Sequence, residues 1–270
     1  VIVVIDVAKG VEAQTEKLVK VCRMRDTPII VFINKLDREG KDAFDLVDEV
    51  EQKLGLTLCP LSWPIGMGQR FQGVYNMWER NLNLYSADNK QKISEGTAFE
   101  DISSPELNEF VGDEAAEELR GDLELLDAVY PAFDKEAYLK GDLCPVLFGS
   151  ALNNFGVREL LDCFQDIAPE PQPKEAEERL VVPQEEAFSG FVFKIHANID
   201  PNHRNRIAFL KVVSGKFERN KNYTHTRTGK TFRVSAPTAF MASKKSTIDE
   251  AFPGDIIGIP DNGSFRIGDT

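Results

Sequence analysis

The 270 residues contain no apolar run long enough to span a membrane: the longest, Val1 to Ile5 and Pro28 to Ile33, stop far short of the roughly 20 residues that cross a bilayer. Cysteine is scarce and scattered. Cys22, Cys59, Cys144 and Cys163 form no C-x-x-C pair, which argues against a zinc cage or a disulfide framework and suits reduced, mostly buried thiols in a cytoplasmic protein. The three histidines, His196, His203 and His225, lack the spacing of a metal site or a catalytic triad and read as structural or surface groups. The opening V-I-V-V-I has no initiator Met, basic lead-in or small-residue cleavage site, so the expectation is a chain cut in mid-domain rather than a secretory leader.

What is present is an ordinary globular composition, 42% hydrophobic and 28% charged, long enough for two domains. The net charge of −12 is unevenly placed. Residues 1 to 187 carry −18 and residues 188 to 270 carry +6, so any nucleic-acid contact belongs in the C-terminal part.

The local patterns fall into two textures. Val1 to Val7 and Ile29 to Ile33 are short β-branched runs of the kind buried on both faces of a parallel sheet. Between them, Leu18, Val19, Val21 and Cys22 recur at helical spacing, giving a βαβ unit whose crossover is expected to be right-handed. A second helix is expected from Asp42 to Leu54, with Phe44, Val47, Val50 and Leu54 along one stripe and Gly55 as its stop. Residues 64 to 140, which include an acidic helical stretch from Asp113 to Asp127 carrying Leu119, Leu123 and Leu126, read as an inserted subdomain. The strand Pro145 to Gly149 and a helix from Val157 to Ile167, with Leu160, Leu161 and Phe164, then close an α/β domain over residues 1 to 168. Residues 169 to 187, rich in proline and glutamate, read as a linker. From 188 to 270, short strands at Gly190 to Ile195, Arg206 to Val213, Lys230 to Val234 and Asp255 to Ile259, punctuated by Gly and Pro, suggest an antiparallel barrel or sandwich.

The chemistry lies in Asn34-Lys35-Leu36-Asp37, an N-K-x-D quartet at the carboxyl end of a buried strand. Guanine shows N1–H and N2–H₂ donors side by side, and one carboxylate accepts both; adenine lacks that pair and would leave the carboxylate unpaired and partly desolvated. Asp37 would therefore discriminate the base. Asn34 would take the N7 side and tie neighbouring loops together, and Lys35 would lay its alkyl stem along sugar and base. A second loop at a strand end, Ser150-Ala151-Leu152, offers the Ala151 N–H to guanine O6. The plainer alternative is an Asx turn at Asn34 and Asp37 with Ser150 capping the next helix. Trp63 and Trp78 read as packing residues, and the acidic cluster from Asp113 to Glu118 as a solvated helix face.

The runs V-I-V-V-I-D-V-A-K-G-V-E-A-Q-T, F-I-N-K-L-D-R and P-V-L-F-G-S-A-L-N-N-F-G-V resemble the middle and end of the GTP-binding domain of translational GTPases. S-W-P-I-G-M-G at 62 to 68, D-P-N-H-R-N-R-I-A-F-L-K-V-V-S-G at 200 to 215 and F-P-G-D-I-I-G at 252 to 258 are most similar to the peptide chain release factor 3 family, with the elongation factor G family the main competitor. The resemblance implies an incomplete P-loop-type GTPase domain of α/β class with an inserted subdomain, followed by an all-β translation-factor barrel. It implies a ribosome-associated GTP hydrolase that dissociates decoding class I release factors, with GTP or GDP and Mg²⁺ bound in the longer protein. It also implies that Arg204, Arg206 and Lys211 contact ribosomal RNA. A non-catalytic interaction scaffold is the reading from another class. The sequence departs from the family in containing no G-x-x-x-x-G-K-[ST] run and no D-x-x-G switch loop ahead of the N-K-x-D quartet, so these residues alone are expected to hydrolyse no GTP and to bind guanine nucleotide weakly or not at all.

Overall fold

The computed structural model describes residues 1–85, 97–98, 101–197, 206–241 and 244–270, and divides them between two compact units, Val1–Ala168 and Pro169–Thr270.

The first unit is built on a parallel sheet. Strand β1 (Ile2–Asp6) leads through helix α1 (Ala13–Arg23) to β2 (Ile30–Asn34), and helix α2 (Ala43–Leu54) leads to β3 (Leu58–Pro60). The chain then leaves the sheet for an antiparallel meander of β4 (Ser62–Ile65), β5 (Gly73–Asn76), β6 (Asn81–Leu84) and β7 (Thr97–Ala98). Helices α3 (Glu106–Val111), α4 (Asp113–Val129) and α5 (Lys135–Lys140) follow before β8 (Cys144–Gly149) and α6 (Val157–Ile167) complete the unit. The parallel sheet runs in the order β1-β2-β8-β3. Its strands alternate between two cores: Val31 and Ile33 join one face, Ile30 and Phe32 the other. Burial on both faces explains the unbroken apolar runs of β2 and β8; β1 departs from that expectation, since it is the edge strand and its Val4 is exposed while Val3 and Ile5 are buried.

The helices have identifiable signals. Asp42 caps α2 by accepting the N–H groups of Phe44 and Asp45, and Gly55 ends it in the left-handed conformation. Leu119, Leu123 and Leu126 seat α4 against the same core as α2. Two of the expected apolar stripes need correction. In α1 only Val19 is buried, while Leu18 and Val21 lie exposed. In α6 the buried residues are Leu160, Cys163 and Ile167, with Leu161 and Phe164 exposed; the inward face follows positions 160, 163 and 167.

The inserted segment is anchored at its first strand. The hydroxyl of Ser62 accepts the Phe148 N–H at 3.0 Å, and Trp63 is fully buried between Phe44 and Phe148 with its indole N–H donated to Asp122 on α4 at 2.8 Å. Trp63 is thus a packing residue. Trp78 lies partly exposed, its ring edge-on to Phe133.

The second unit is all-β. A short hairpin of β9 (Lys174–Glu175) and β10 (Leu180–Val181) lies within the expected linker and buries Val181. The remaining strands are β11 (Ser189–Ala197), β12 (Arg206–Ser214), β13 (Phe217–Glu218), β14 (Asn222–His225), β15 (Lys230–Arg233), β16 (Thr238–Met241), β17 (Lys244–Thr247), β18 (Glu250–Ala251) and β19 (Ile256–Asp261). They form a five-stranded sheet, β11-β12-β19-β16-β17, with two-stranded ladders β13-β18 and β14-β15, around one core that includes Val192, Leu210, Phe217, Tyr223 and Ile257. His225 is buried in this unit, where Nε2 lies 2.9 Å from Asp269; His196 is exposed, and His203 lies outside the described residues. All four cysteines are free thiols. No described helix is long and apolar enough to cross a membrane.

Candidate nucleotide site

Parallel pairing aligns the ends of three strands. Asp6 stands opposite Asn34, and Asn34 opposite Gly149, so the loops after β1, β2 and β8 leave the sheet at one level on its carboxyl edge. Open α/β sheets bind ligands at that edge.

The loop after β2 is pinned to the loop after β8 by two side-chain bonds. The Asn34 side-chain oxygen accepts the Ala151 N–H at 2.8 Å and the Lys35 N–H at 2.9 Å. Both partners are donors, so the oxygen must face them and the amide NH₂ faces away. That NH₂ has no protein partner among the described residues, which leaves it available to an acceptor such as guanine N7. The Ser150 hydroxyl donates to Asp37 Oδ1 at 2.5 Å, and the Asn153 amide donates to Ser150 Oγ at 3.1 Å. Ser150 is fully buried and caps no helix; its hydroxyl is committed to orienting Asp37. Asp37 Oδ2 receives no hydrogen bond from the described residues.

Lys35 is anchored at its ammonium end. Its backbone is left-handed, φ 74°, and its ammonium lies 2.6 Å from Asp6 Oδ2 at the end of β1. This pair holds the Asp6 carboxyl below the usual range, against the opposing effect of desolvation; the Ala8 and Lys9 N–H groups add to the lowering. Asp6 is a site residue that motif reading misses. Its one signal is its place as the polar end of an apolar strand.

The second loop requires glycine at both ends. A Cβ on Gly149 would collide with the Phe155 carbonyl oxygen and the Phe32 ring. Gly156 has φ 71° and meets the Phe148 carbonyl in the same way. Between them Ser150 and Phe155 exchange backbone hydrogen bonds of 2.8 and 2.9 Å, closing a tight loop that presents Ala151. Leu152 projects into solvent.

Motif reading also misses a support from the inserted segment. The Gly68 N–H donates to the carbonyl of Leu36 at 3.0 Å, and the Gln69 N–H to Glu39 at 3.2 Å. Leu36 itself is fully buried. The S-W-P-I-G-M-G run therefore braces the N-K-x-D loop from behind.

With this geometry in view, residues 1–170 match the family described as elongation factor Tu GTP binding domain. The chain belongs to that family. Residues 187–270 match the family described as elongation factor G domain 2, so the polypeptide is a translational GTPase family member in which a GTPase domain precedes a β-rich translation-factor domain. Its fold is similar to a solved structure, the crystal structure of ttk003000868 from Thermus thermophilus, with 22% identity and a TM-score of 0.69. That alignment covers 98% of this chain and 39% of the other, so the chain spans well under half the length of that protein.

The polar groups fit guanine at two points, an oriented carboxylate acceptor at Asp37 and a free amide NH₂ donor at Asn34, while the Ala151 N–H expected to meet guanine O6 is donated to the Asn34 side chain. Of the residues expected to meet RNA, the two that are described, Arg206 and Lys211, are not brought together. Arg204 lies outside the described residues. Arg206 and Lys211 are an odd number of positions apart on β12 and so face opposite sides of the sheet. The Arg206 Nε lies 3.1 Å from Asp261, whose side chain is wholly buried, while Lys211 lies opposite Phe191 and Ile256.

Proposed function

We propose that this polypeptide forms the guanine-reading part and second domain of a GTP-hydrolysing ribosome factor that promotes recycling of decoding class I release factors at termination. The Asp37–Ser150 contact carries the guanine half of this reading, because it holds a carboxylate at the crevice rim beside the free side-chain NH₂ of Asn34. Nucleotide would be GTP or GDP, with Mg²⁺ held by residues outside this set. These 270 residues contain no phosphate-binding loop, so by themselves they bind guanine nucleotide weakly or not at all and do not hydrolyse it. The assignment to termination rests on the runs at 62 to 68, 200 to 215 and 252 to 258. The site of action is the cytoplasm, with ribosomal RNA as a partner through Arg204 and Lys211.

The match of residues 187–270 to elongation factor G domain 2 favours a second reading, a translocation GTPase. One experiment separates the two. A polypeptide carrying a phosphate-binding loop as well as these residues is added with GTP to post-termination ribosomes holding a class I release factor, and in parallel to pretranslocation ribosomes. Accelerated release-factor departure without translocation supports termination; the reverse supports translocation. Lys211→Glu is the companion test for RNA, since reversing Arg206 would also disturb buried Asp261. It should weaken ribosome binding and flatten its salt dependence.

A further inference from the structure

The second unit contains a groove of about 960 Å³ that the guanine chemistry does not use. One wall consists of consecutive residues, Lys230 to Arg233 of β15 and then Val234 to Ala236. Side chains alternate along a strand, so a groove lined by every residue in succession faces the strand's edge rather than one of its faces. β15 pairs with β14 alone, and its other edge has no hydrogen-bonded strand among the described residues. The opposite wall is the end of β19, beyond the single Thr238–Gly258 pair at which β16 reaches it. The groove is therefore a gap between two strand edges in the wall of the unit.

Its chemistry selects an occupant. The lining is apolar at Ile207, Phe232, Ile259 and Phe265, and cationic at the exposed Lys230 and Arg233. The acid in the lining, Asp261, is neutralised within the protein: Oδ1 accepts the N–H groups of Gly263, Ser264 and Phe265, and Oδ2 faces Arg206. The net field at the rim is positive, in a unit whose residues 188 to 270 carry +6. Phe232 and Phe265 meet edge to face at 5.3 Å, and Phe265 also lies against His225 at 5.3 Å. Rings already packed on neighbours make a floor for aliphatic side chains, not an open platform for stacking bases.

We infer that this groove takes an extended acidic peptide segment of a partner protein, which adds as a strand to the free edge of β15. Alternate apolar side chains of the segment rest on the Phe232 side, and its carboxylates, on the other side, face Arg233, while Lys230, on the Phe232 side at the start of β15, adds to the attraction at the rim. Main-chain hydrogen bonds supply affinity and the floor supplies register, as in other strand-addition complexes. The inference goes beyond the proposed GTPase role and does not depend on it.

The test is an NMR titration of the isotopically labelled 270-residue protein with a terminally blocked peptide of alternating glutamate and valine. The same peptide with lysine for glutamate, and a single-stranded oligouridylate, are titrated in parallel. The expected result is that amides of residues 230 to 236 and of Ile259, Asp261 and Asn262 shift with the glutamate peptide. Affinity should fall by about tenfold or more in a K230E/R233E variant whose spectrum otherwise remains folded, and the lysine peptide should bind at least as weakly as that. Shifts confined to other surfaces, equal binding of the lysine peptide, preferential binding of the oligonucleotide in this groove, or no shift at millimolar peptide would each overturn the inference.

Discussion

The side-chain oxygen of Asn34 accepts the backbone N–H of Ala151 at 2.8 Å, joining two loops 117 residues apart in sequence. Both loops begin at strand ends held in register by the sheet, so this bond fixes the width of the crevice between them. Asn34→Ala leaves the Ala151 N–H unpaired. It should cost the first unit about 1 to 2 kcal/mol and speed amide exchange at Ala151 relative to the sheet. Urea unfolding and hydrogen exchange measure the two effects, and unchanged exchange at Ala151 would count against the pin.

Lys35 combines a strained backbone with a half-exposed ion pair. Relieving the left-handed conformation in Lys35→Gly gains about 1 kcal/mol, while losing a pair 40% exposed on the lysine side costs about the same or less. The variant should therefore lie within about 1 kcal/mol of the parent. Lys35→Val keeps the strain, adds β-branching and loses the pair, so it should be clearly less stable in thermal unfolding. Equal stability of the two variants would show that φ at this position carries no strain.

The sequence reveals those parts of the fold where one rule acts alone. The strands β2 and β8 are buried on both faces and read as continuous apolar runs, as does the edge strand β1 although its Val4 is exposed. Helix α6 is legible with the bounds it has, Val157–Ile167, because Gly156 and Ala168-Pro169 punctuate it. The meander from Ser62 to Leu84 is not legible as strands, since Ser62, Asn76 and Asn83 are polar yet buried, and alternation fails where hydrogen bonds replace apolar contact. Short β3 escapes notice because three residues, one of them Pro60, give no periodic signal. In the site, Asn34, Asp37 and Ser150 are readable from their types and spacing. The Lys35–Asp6 pair and the bracing by Gly68 depend on neighbours brought together by the sheet, which no local pattern encodes.

Glu49 on α2 gives the first unit an acid-sensitive contact. Its carboxylate receives Lys41, Lys53 at 2.7 Å and the Val11 N–H at 3.3 Å, and is held down at about 2, chiefly by Lys41 and then Lys53. A depressed folded-state value means stabilisation that is complete above the unfolded range of about 4.3 and lost as pH falls from there toward about 2. Glu49→Gln should lower stability at pH 7 by about 1 to 2 kcal/mol, a figure reduced because both lysines are solvent-exposed. Denaturant midpoints measured across this acid range should converge for parent and variant. Parallel curves would contradict the linkage.

Asp122 has the opposite sign. Burial pushes its carboxyl up, Glu118 and Asp42 push it further, and the Trp63 indole N–H opposes them. Ionisation is therefore unfavourable in the folded state, and the group's contribution worsens as pH rises through the raised value. Asp122→Asn retains an oxygen for the indole and removes the charge, so it should match or exceed the parent's stability at pH 7. Asp122→Ala strands a buried N–H and should cost about 1 to 3 kcal/mol. Thermal unfolding of the two variants decides the point, and loss of stability in Asp122→Asn equal to that in Asp122→Ala would show that the charge itself is needed.

The central claim is that Asp37, held by Ser150, selects guanine. The most direct measurement is competition between GDP and ADP for a polypeptide that carries a phosphate-binding loop together with these residues, with Asp37→Ala alongside. The account predicts that GDP wins by about a hundredfold or more, since two hydrogen bonds to a charged group contribute about 1.5 to 3 kcal/mol each. It also predicts that most of this preference disappears in the variant. Equal competition by ADP, or a preference that survives Asp37→Ala, would contradict it.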